Sequence, residues 1–175
     1  MSTSAIIVLT VVAALVFWLV GAYNRLMRLR GTIVRSFVPV HTQLRQRQSL
    51  LLEQIAALEP LLTNAGPRLD ALRAACGQSA AACAHARLRP GAAGAIASLR
   101  IAEDILNEAR AHLPVQSAQG TELAALNAQL AAADSTLDFA RTLFNAAVIE
   151  YNDAVRQFPT VLIVSLFDFR SAGTF

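Results

Sequence analysis

Residues 5–22 read AIIVLTVVAALVFWLVGA, an apolar run within a 24-residue N-terminal segment that has no charged side chain. As an α-helix this run would rise about 27 Å, close to the hydrocarbon thickness of a bilayer. Trp18 and Tyr23 lie near its end, where amphipathic aromatic rings suit the headgroup level. The run therefore predicts a single transmembrane helix over residues 5–22, preceded by a short extracytoplasmic stub, residues 1–4.

The segment that follows the apolar run is basic. Six arginines precede the first acid, Glu53, and three of them, Arg25, Arg28 and Arg30, come directly after the run. Loops rich in Lys and Arg are retained in the cytoplasm, so this pattern predicts an N-terminus outside the cell and a domain on the cytoplasmic side of the cell membrane.

A cleaved signal peptide is the alternative interpretation of the same segment. Val20, Gly21 and Ala22 are small enough to form a cleavage site. However, the basic region that precedes the apolar part of a signal peptide is missing, and arginines directly after the apolar run oppose export.

The arginines after the apolar run have two possible anionic ligands, acidic lipid and nucleic acid. A helix would hold the first three within about a Debye length of the bilayer, where each gains on the order of 1 kcal/mol from acidic lipid. The chain has no interleaved aromatic residues, helix-turn-helix spacing or zinc-finger pattern, so we expect no nucleic-acid partner. The predicted membrane-interface residues are Trp18, Tyr23, Arg25, Arg28 and Arg30.

Two long segments after the anchor have helical periodicity. Apolar residues recur at steps of three, four or seven between Leu26 and Leu62, and at steps of three or four between Leu123 and Phe158. The predicted helices, residues 23–59 and 121–158, would each span roughly 55 Å. Equal lengths and a repeat close to 3.5 residues favour antiparallel, coiled-coil-like packing.

The intervening residues, 61–120, contain Pro and Gly at several breaks and predict two shorter helices, at 68–88 and 93–112. In the second of these we expect Arg100, Glu103 and Glu108 to face solvent. The predicted fold class is therefore all-α: a transmembrane helix that continues into an elongated antiparallel helical bundle, residues 23–158, with two long and two shorter helices.

The C-terminal segment, residues 159–175, is unusually apolar for a solvated terminus and too short to span a bilayer. Antiparallel packing would return it to the membrane beside the anchor. Two interpretations stay open: the segment caps the base of the bundle, or it forms an interfacial or partner-binding edge. In the second case the contact residues are Leu162, Leu166, Phe167 and Phe169.

Two separated blocks of the sequence resemble the LemA family. Residues 23–30 and 40–47 are similar to the family's YN-x-L-x-x-LR and V-x-x-QL-x-x-R elements, and residues 140–167 are similar to its AR-x-x-YN-x-x-V-x-x-YN, FP and LI-x-x-LF succession. The matching positions are Tyr23, Asn24, Leu29, Gln43, Leu44, Arg141, Asn145, Tyr151, Asn152, Phe158 and Pro159. The resemblance implies a single-pass membrane protein with a helical cytoplasmic domain, and it implies no catalytic residues.

The chain departs from the family pattern at several positions. The family usually has a tryptophan where Phe37 stands and an acid where His41 stands. It also has a Tyr-Asp-Leu-Ile-Pro-Asn run in place of residues 48–53. The sequence is therefore interpreted as a divergent member.

The amides of Asn145 and Asn152, with Tyr151 between them, suggest a structural role. Asn145 and Asn152 are seven residues apart and so share one face of the last helix. Amides on that face can pair with each other or with backbone groups across helices and so determine the packing register.

No residues form a recognisable catalytic or metal site. Cys76 and Cys83 would be about 10.5 Å apart along a helix, too far for a disulfide or a shared metal. Glu103, Asp104 and Glu108 could act in acid–base chemistry, but a solvated helix face explains them better. No phosphate-binding loop, nucleophile elbow or HExxH occurs. We therefore predict a non-enzyme with no cofactor, no metal and no small-molecule substrate.

The function predicted from these features is that of a membrane-anchored scaffold or interaction module. Its expected partners are the lipid bilayer and either other membrane proteins or further copies of the chain. The alternative is a lipid-sensing or membrane-shaping protein that uses the arginines after the anchor and the apolar C-terminal segment.

Overall fold

The chain folds into four α-helices and, in the residues described, no strand. The structure, a computed structural model, describes residues 3–61, 66–113, 121–157, 167 and 169–175. The helices are α1 (Thr3–Leu58), α2 (Gly66–Leu88), α3 (Ala93–Ala111) and α4 (Thr121–Arg156). The all-α prediction is confirmed, and the observed bounds of α2 and α3 lie within two residues of the predicted ones.

α1 continues without a break from the apolar N-terminal run into the bundle. Its most apolar 18-residue window has a mean hydropathy of 2.7 and is 0% buried inside the protein, so it satisfies the length and composition of a membrane span. The buried positions of α1 begin at Leu26. The helix is therefore an apolar rod at one end and a packed bundle helix at the other.

α1 and α4 pack antiparallel in one constant register. Arg25 lies opposite Gln157 at the start of the bundle, and Gln54 lies opposite Asn127 at its far end. Between them the rings of Phe37 and Phe144 meet edge to face with centroids 5.5 Å apart. The 29 residues from Arg25 to Gln54 correspond to 30 residues of α4, so the pairing holds without a slip over about 44 Å.

The apolar stripes predicted for the two long helices are buried. Their innermost members, including Leu26, Leu51, Leu130 and Phe144, have 0% exposure. α2 packs against α1, and α3 packs against α2. Gln48 contacts Cys76 and Glu59 contacts Arg73, so α1 and α2 are antiparallel. Within the described residues no Cα atom of α3 lies within 8 Å of one of α4, so these two helices contact each other through side chains. We call the space between their backbones the α3–α4 groove.

The core consists of two apolar clusters stacked along the bundle. The membrane-proximal cluster extends along α1 from Leu26 to Leu44, and the distal cluster extends from Leu50 to Leu58. The membrane-proximal cluster also includes Phe169 and Ala172, which come from the C-terminal segment. The bundle core is therefore completed by residues that follow the last helix.

Candidate functional site

The aromatic residues at the end of the anchor contact both the bundle and the C-terminal segment. Trp18 and Tyr23 are half-buried and pack against the membrane-proximal cluster. The Tyr23 ring lies 5.2 Å from that of Phe167 and 5.9 Å from that of Phe169, measured between centroids. Tyr23, the residue after the anchor, therefore contacts the C-terminal segment at the base of the bundle.

The three arginines that follow the anchor differ in their surroundings. Arg25 donates a hydrogen bond of 3.4 Å to the side-chain oxygen of Gln157 at the end of α4. Arg28 and Arg30 are exposed. The base of the bundle thus has cationic side chains next to the aromatic contact.

Residues 169–175, which we call the tail, are held on α4 by two asparagines. Asn152 Nδ2 donates to Ala172 O at 3.0 Å, and the Ala172 N–H donates to Asn152 Oδ1 at 2.8 Å. Asn145 Nδ2 donates to Phe175 O at 2.7 Å, and the Phe175 N–H donates to Asn145 Oδ1 at 2.8 Å. Tyr151 OH donates to Arg170 O at 3.1 Å. The motif amides therefore pair with backbone groups of the tail and not with a facing helix.

The spacing of these bonds defines the path of the tail. The two asparagines are seven positions apart on α4, which is a rise of about 10.5 Å. Their partners, Ala172 and Phe175, are three positions apart in the tail, which is about 10 Å when extended. Asn152 holds the earlier tail residue and Asn145 the later one. The tail is therefore an extended segment antiparallel to α4 that runs away from the anchor.

The tail occupies the membrane-proximal part of the α3–α4 groove. A Cβ atom on Gly173 would lie 2.7 Å from the Cα atom of Ala93, the first residue of α3. On the α4 side the guanidinium carbon of Arg141 lies 4.2 Å from the centroid of the Phe175 ring. Burial lowers the pKa of Arg141 below its ordinary value, while the Glu103 carboxylate opposes this shift. The tail thus bridges two helices whose backbones do not touch.

The remaining motif residues are distributed between the core and the surface. Leu29 and Leu44 are buried, Gln43 is half-buried and Asn24 is exposed. Tyr151 is buried, and burial raises the pKa of its hydroxyl. Of the C-terminal contact residues, Phe167 is 47% exposed and Phe169 is 8% exposed. The other predicted positions, Phe158, Pro159, Leu162 and Leu166, lie outside the described residues.

A buried polar layer separates the two apolar clusters and joins all four helices. Arg47 of α1 forms an ion pair with Glu103 of α3, which also accepts a hydrogen bond from Ser79 of α2. Arg47 Nε lies 2.8 Å from a carboxylate oxygen of Asp134 on α4. Two further ion pairs join α3 to α4, Arg110–Asp134 at 2.7 Å and Glu103–Arg141 at 3.4 Å. Arg47 of α1 also donates a hydrogen bond to Asn107 of α3.

The expectation that Glu103 faces solvent is wrong, because its side chain is 2% exposed. The burial of this carboxylate is compensated by Arg47, Arg141 and the Ser79 hydroxyl. A signal was present in the sequence, since Glu103 stands between Leu99 and Leu106 at the core spacing of α3. Arg47 and Ser79 occupy the same kind of position, between Leu44 and Leu51 and between Cys76 and Cys83. Polar residues at core positions of three helices predict a shared layer.

The cysteines and histidines do not form a reactive or metal-binding group. Cys76 and Cys83 are free, buried thiols. Burial raises the pKa of both, that of Cys83 to about 11, so neither is a ready nucleophile. Burial and the charges of Arg87 and Arg45 lower the pKa of His41, which with Cys83 lines a cavity of about 240 Å³. Across the described ranges no group of three His, Cys, Asp or Glu side chains is placed to hold a metal ion.

Comparison with known proteins adds one positive finding. The model of the LemA family matches residues 37–175. No curated protein and no solved structure matches the chain. The matched region contains α1 from Phe37 onward, the other three helices and the tail, and therefore both the polar layer and the asparagine contacts.

Proposed function

The chain belongs to the LemA family, and from this premise we propose that it is a single-pass, membrane-anchored scaffold without catalytic activity. Family membership and the apolar N-terminal helix fit a membrane-anchored helical protein. In this proposal residues 1–4 lie outside the cell, residues 5–22 span the cell membrane, and residues 23–158 form a cytoplasmic bundle. Residues 159–175 lie near the membrane.

The observation that carries the proposal is the continuity of α1. From residue 6 to residue 17 the large apolar side chains are exposed to at least half of their area, for example Leu9 at 61% and Phe17 at 79%. Such a surface is stable in lipid and unfavourable in water. Because the same helix continues to Leu58, the bundle would stand on the membrane as a rod of about 54 Å.

The scaffold role is supported by apolar side chains on the outer faces of the bundle. Ile101 and Ile105 are 58% and 42% exposed on α3, and Phe139 and Leu143 are 65% and 48% exposed on α4. Each pair is four residues apart and therefore lies on one helix face. Exposed apolar pairs of this kind suit helix-to-helix contacts with a membrane protein or with a second copy of the chain.

The proposed orientation is tested by labelling cysteines in intact cells. Arg100→Cys places a thiol on the exposed face of α3, and Ser4→Cys places one ahead of the anchor. A membrane-impermeant maleimide added outside should modify the Ser4→Cys protein and leave the Arg100→Cys protein unmodified until the cells are opened. The native cysteines, Cys76 and Cys83, should not react with the maleimide because both are buried, so the chain without an added cysteine is the background control. Modification of Arg100→Cys in intact cells would overturn the orientation.

The scaffold role itself requires a partner. Proximity labelling from the bundle should recover a recurrent membrane protein or the chain itself. The double variant Phe139→Ser with Leu143→Ser should lose that partner, while Ile149→Ser, a 53% exposed apolar residue elsewhere on α4, is the matched control. Recovery of no protein above background from correctly inserted chain would contradict the scaffold role.

A lipid-sensing or membrane-shaping role is the second candidate, favoured by the exposed Arg28 and Arg30 and the half-exposed Phe167 at the base of the bundle. In contrast, Phe169 is buried against the bundle and would reach lipid only after the tail leaves α4. Vesicles that contain the full chain discriminate between the two functions. A change in vesicle curvature or leakage that depends on residues 160–175 would favour the second candidate.

A further inference from the structure

The base of the bundle contains a cavity of about 600 Å³ lined by three arginines. They come from separate parts of the chain: Arg30 from α1, Arg89 from the connection between α2 and α3, and Arg170 from the tail. Apolar residues complete the wall, among them Val34, Leu88 and Phe169. The fold therefore gathers cations that are 59 and 81 residues apart in the sequence.

The described lining of this cavity is basic. None of the described residues that line it is an acid. Arg30 and Arg89 have no carboxylate within ion-pair distance in the part of the chain that the structure describes. Elsewhere in the bundle Arg47, Arg110 and Arg141 all pair with acids. Arg30 and Arg89 carry the same charge, and an anion bound in the cavity would be attracted to both of them.

The backbone beside the cavity favours the same kind of ligand. Gly91 and Ala92 line the cavity directly ahead of α3. The N-cap residue Ala92 provides no side-chain hydrogen bond, and the first turn of α3 has no acid. The positive end of the helix dipole is therefore uncompensated by any side chain of this turn, and it adds to the field of the arginines.

The position of the cavity points to a lipid as the source of the anion. Arg30 lies eight residues beyond Ala22, or about 12 Å along the helix from the end of the anchor. Apolar side chains around the cavity and just below it are exposed: Leu88 at 74%, Val34 at 49% and Met27, on the same face of α1, at 42%. A ligand with a phosphate next to acyl chains would satisfy both features.

We propose that this cavity binds the phosphate of an anionic glycerophospholipid, with Arg30, Arg89 and Arg170 around it. The inference rests on the membrane-anchored placement given under Proposed function. It goes beyond general attraction of the arginines to the bilayer, because Arg89 lies far from the anchor in sequence and reaches the site only through the fold. The bound headgroup would join α1, the α2–α3 connection and the tail at the membrane surface.

The test uses the full chain purified in a neutral detergent and titrated with phosphatidylglycerol, with bound lipid counted by native mass spectrometry. Arg89→Gln should weaken phosphatidylglycerol binding by at least about fivefold, the effect of about one lost cationic contact. Arg30→Gln should show a similar loss. The matched control is Arg28→Gln, an exposed arginine after the anchor that does not line the cavity, and it should change binding by less than about twofold. Phosphatidylcholine should bind more weakly than phosphatidylglycerol to all variants.

Three results would overturn the proposal. Equal losses in Arg89→Gln and Arg28→Gln would indicate general electrostatic attraction, and no loss in either cavity variant would exclude the site. Competition by inorganic phosphate at the same concentration as the lipid would identify a free phosphate as the ligand. Circular dichroism of each variant checks the fold. A chain found in the soluble fraction of cells would contradict the proposed membrane function, and the detergent titration would still report on the cavity.

Discussion

Arg47 and Glu103 form an ion pair inside the bundle, with side chains only 4% and 2% exposed. The two residues come from α1 and α3 and lie between the two apolar clusters of the core. A buried ion pair adds little net stability, because desolvation offsets the attraction. Its position at the boundary between the clusters, with partners on all four helices, suits a role in fixing the axial register of the bundle.

Removal of Glu103 should strongly destabilise the bundle. Glu103→Ala leaves Arg47 buried without its main partner, and the free energy of unfolding should fall by about 3–5 kcal/mol. Glu108→Ala, an exposed acid on the same helix, should change it by less than about 0.5 kcal/mol. Urea unfolding of the full chain in detergent, followed by circular dichroism, measures both. Similar stabilities for the two variants would show that the ion pair has no structural role.

Loss of an asparagine contact should release the tail. Asn152→Leu removes both hydrogen bonds to Ala172 and should cost about 1–3 kcal/mol of tail docking. The Arg170 peptide bond then becomes more accessible to trypsin, so cleavage after Arg170 should accelerate. Asn24→Leu alters an exposed asparagine on α1 and is the control. Equal cleavage rates and equal melting temperatures in both variants would refute a role of Asn152 in holding the tail.

A methyl group at position 173 should also release the tail, in this case by a clash with α3. The Cβ atom of Gly173→Ala would lie 2.7 Å from the Cα atom of Ala93, so either the tail or the start of α3 must move. We expect faster tryptic cleavage after Arg170 than in the native chain. Gly94→Ala, whose added Cβ meets nothing within 4 Å, should leave the cleavage rate unchanged. Identical rates for both glycine variants would contradict the close packing of Gly173 on Ala93.

The buried thiol of Cys83 should make stability depend on pH in the alkaline range. Burial raises its pKa from 9.0 to about 11, so between these values the unfolded chain releases a proton that the folded chain retains. The stabilising contribution is complete below pH 9 and disappears as the pH rises through 11. The free energy of unfolding should therefore fall more steeply with pH in the native chain than in Cys83→Ala. Parallel curves for the two proteins would contradict this assignment.

The sequence alone was sufficient for the helices and for the pairing of the two long ones. The apolar repeat along α1 and α4 reflects local geometry, since residues three and four apart share a helix face wherever the helix is placed. The equal lengths of these repeats then favoured antiparallel neighbours. The apolar run of residues 5–22 likewise needs no tertiary context, because length and hydropathy are properties of the segment itself.

Only the tertiary structure decided what the inward-facing polar residues contact. Glu103, Arg47 and Ser79 each stand at a core position of their own helix, but the sequence does not record that Arg47 and Ser79 reach Glu103 from helices 56 and 24 residues away. Asn145 and Asn152 were recognisable as one face of α4, but their partners are backbone groups of the tail, which have no side-chain signature. The arginine-lined cavity exists for the same reason: the electrostatic field of Arg30, Arg89 and Arg170 depends on distances in space, and the fold sets those distances.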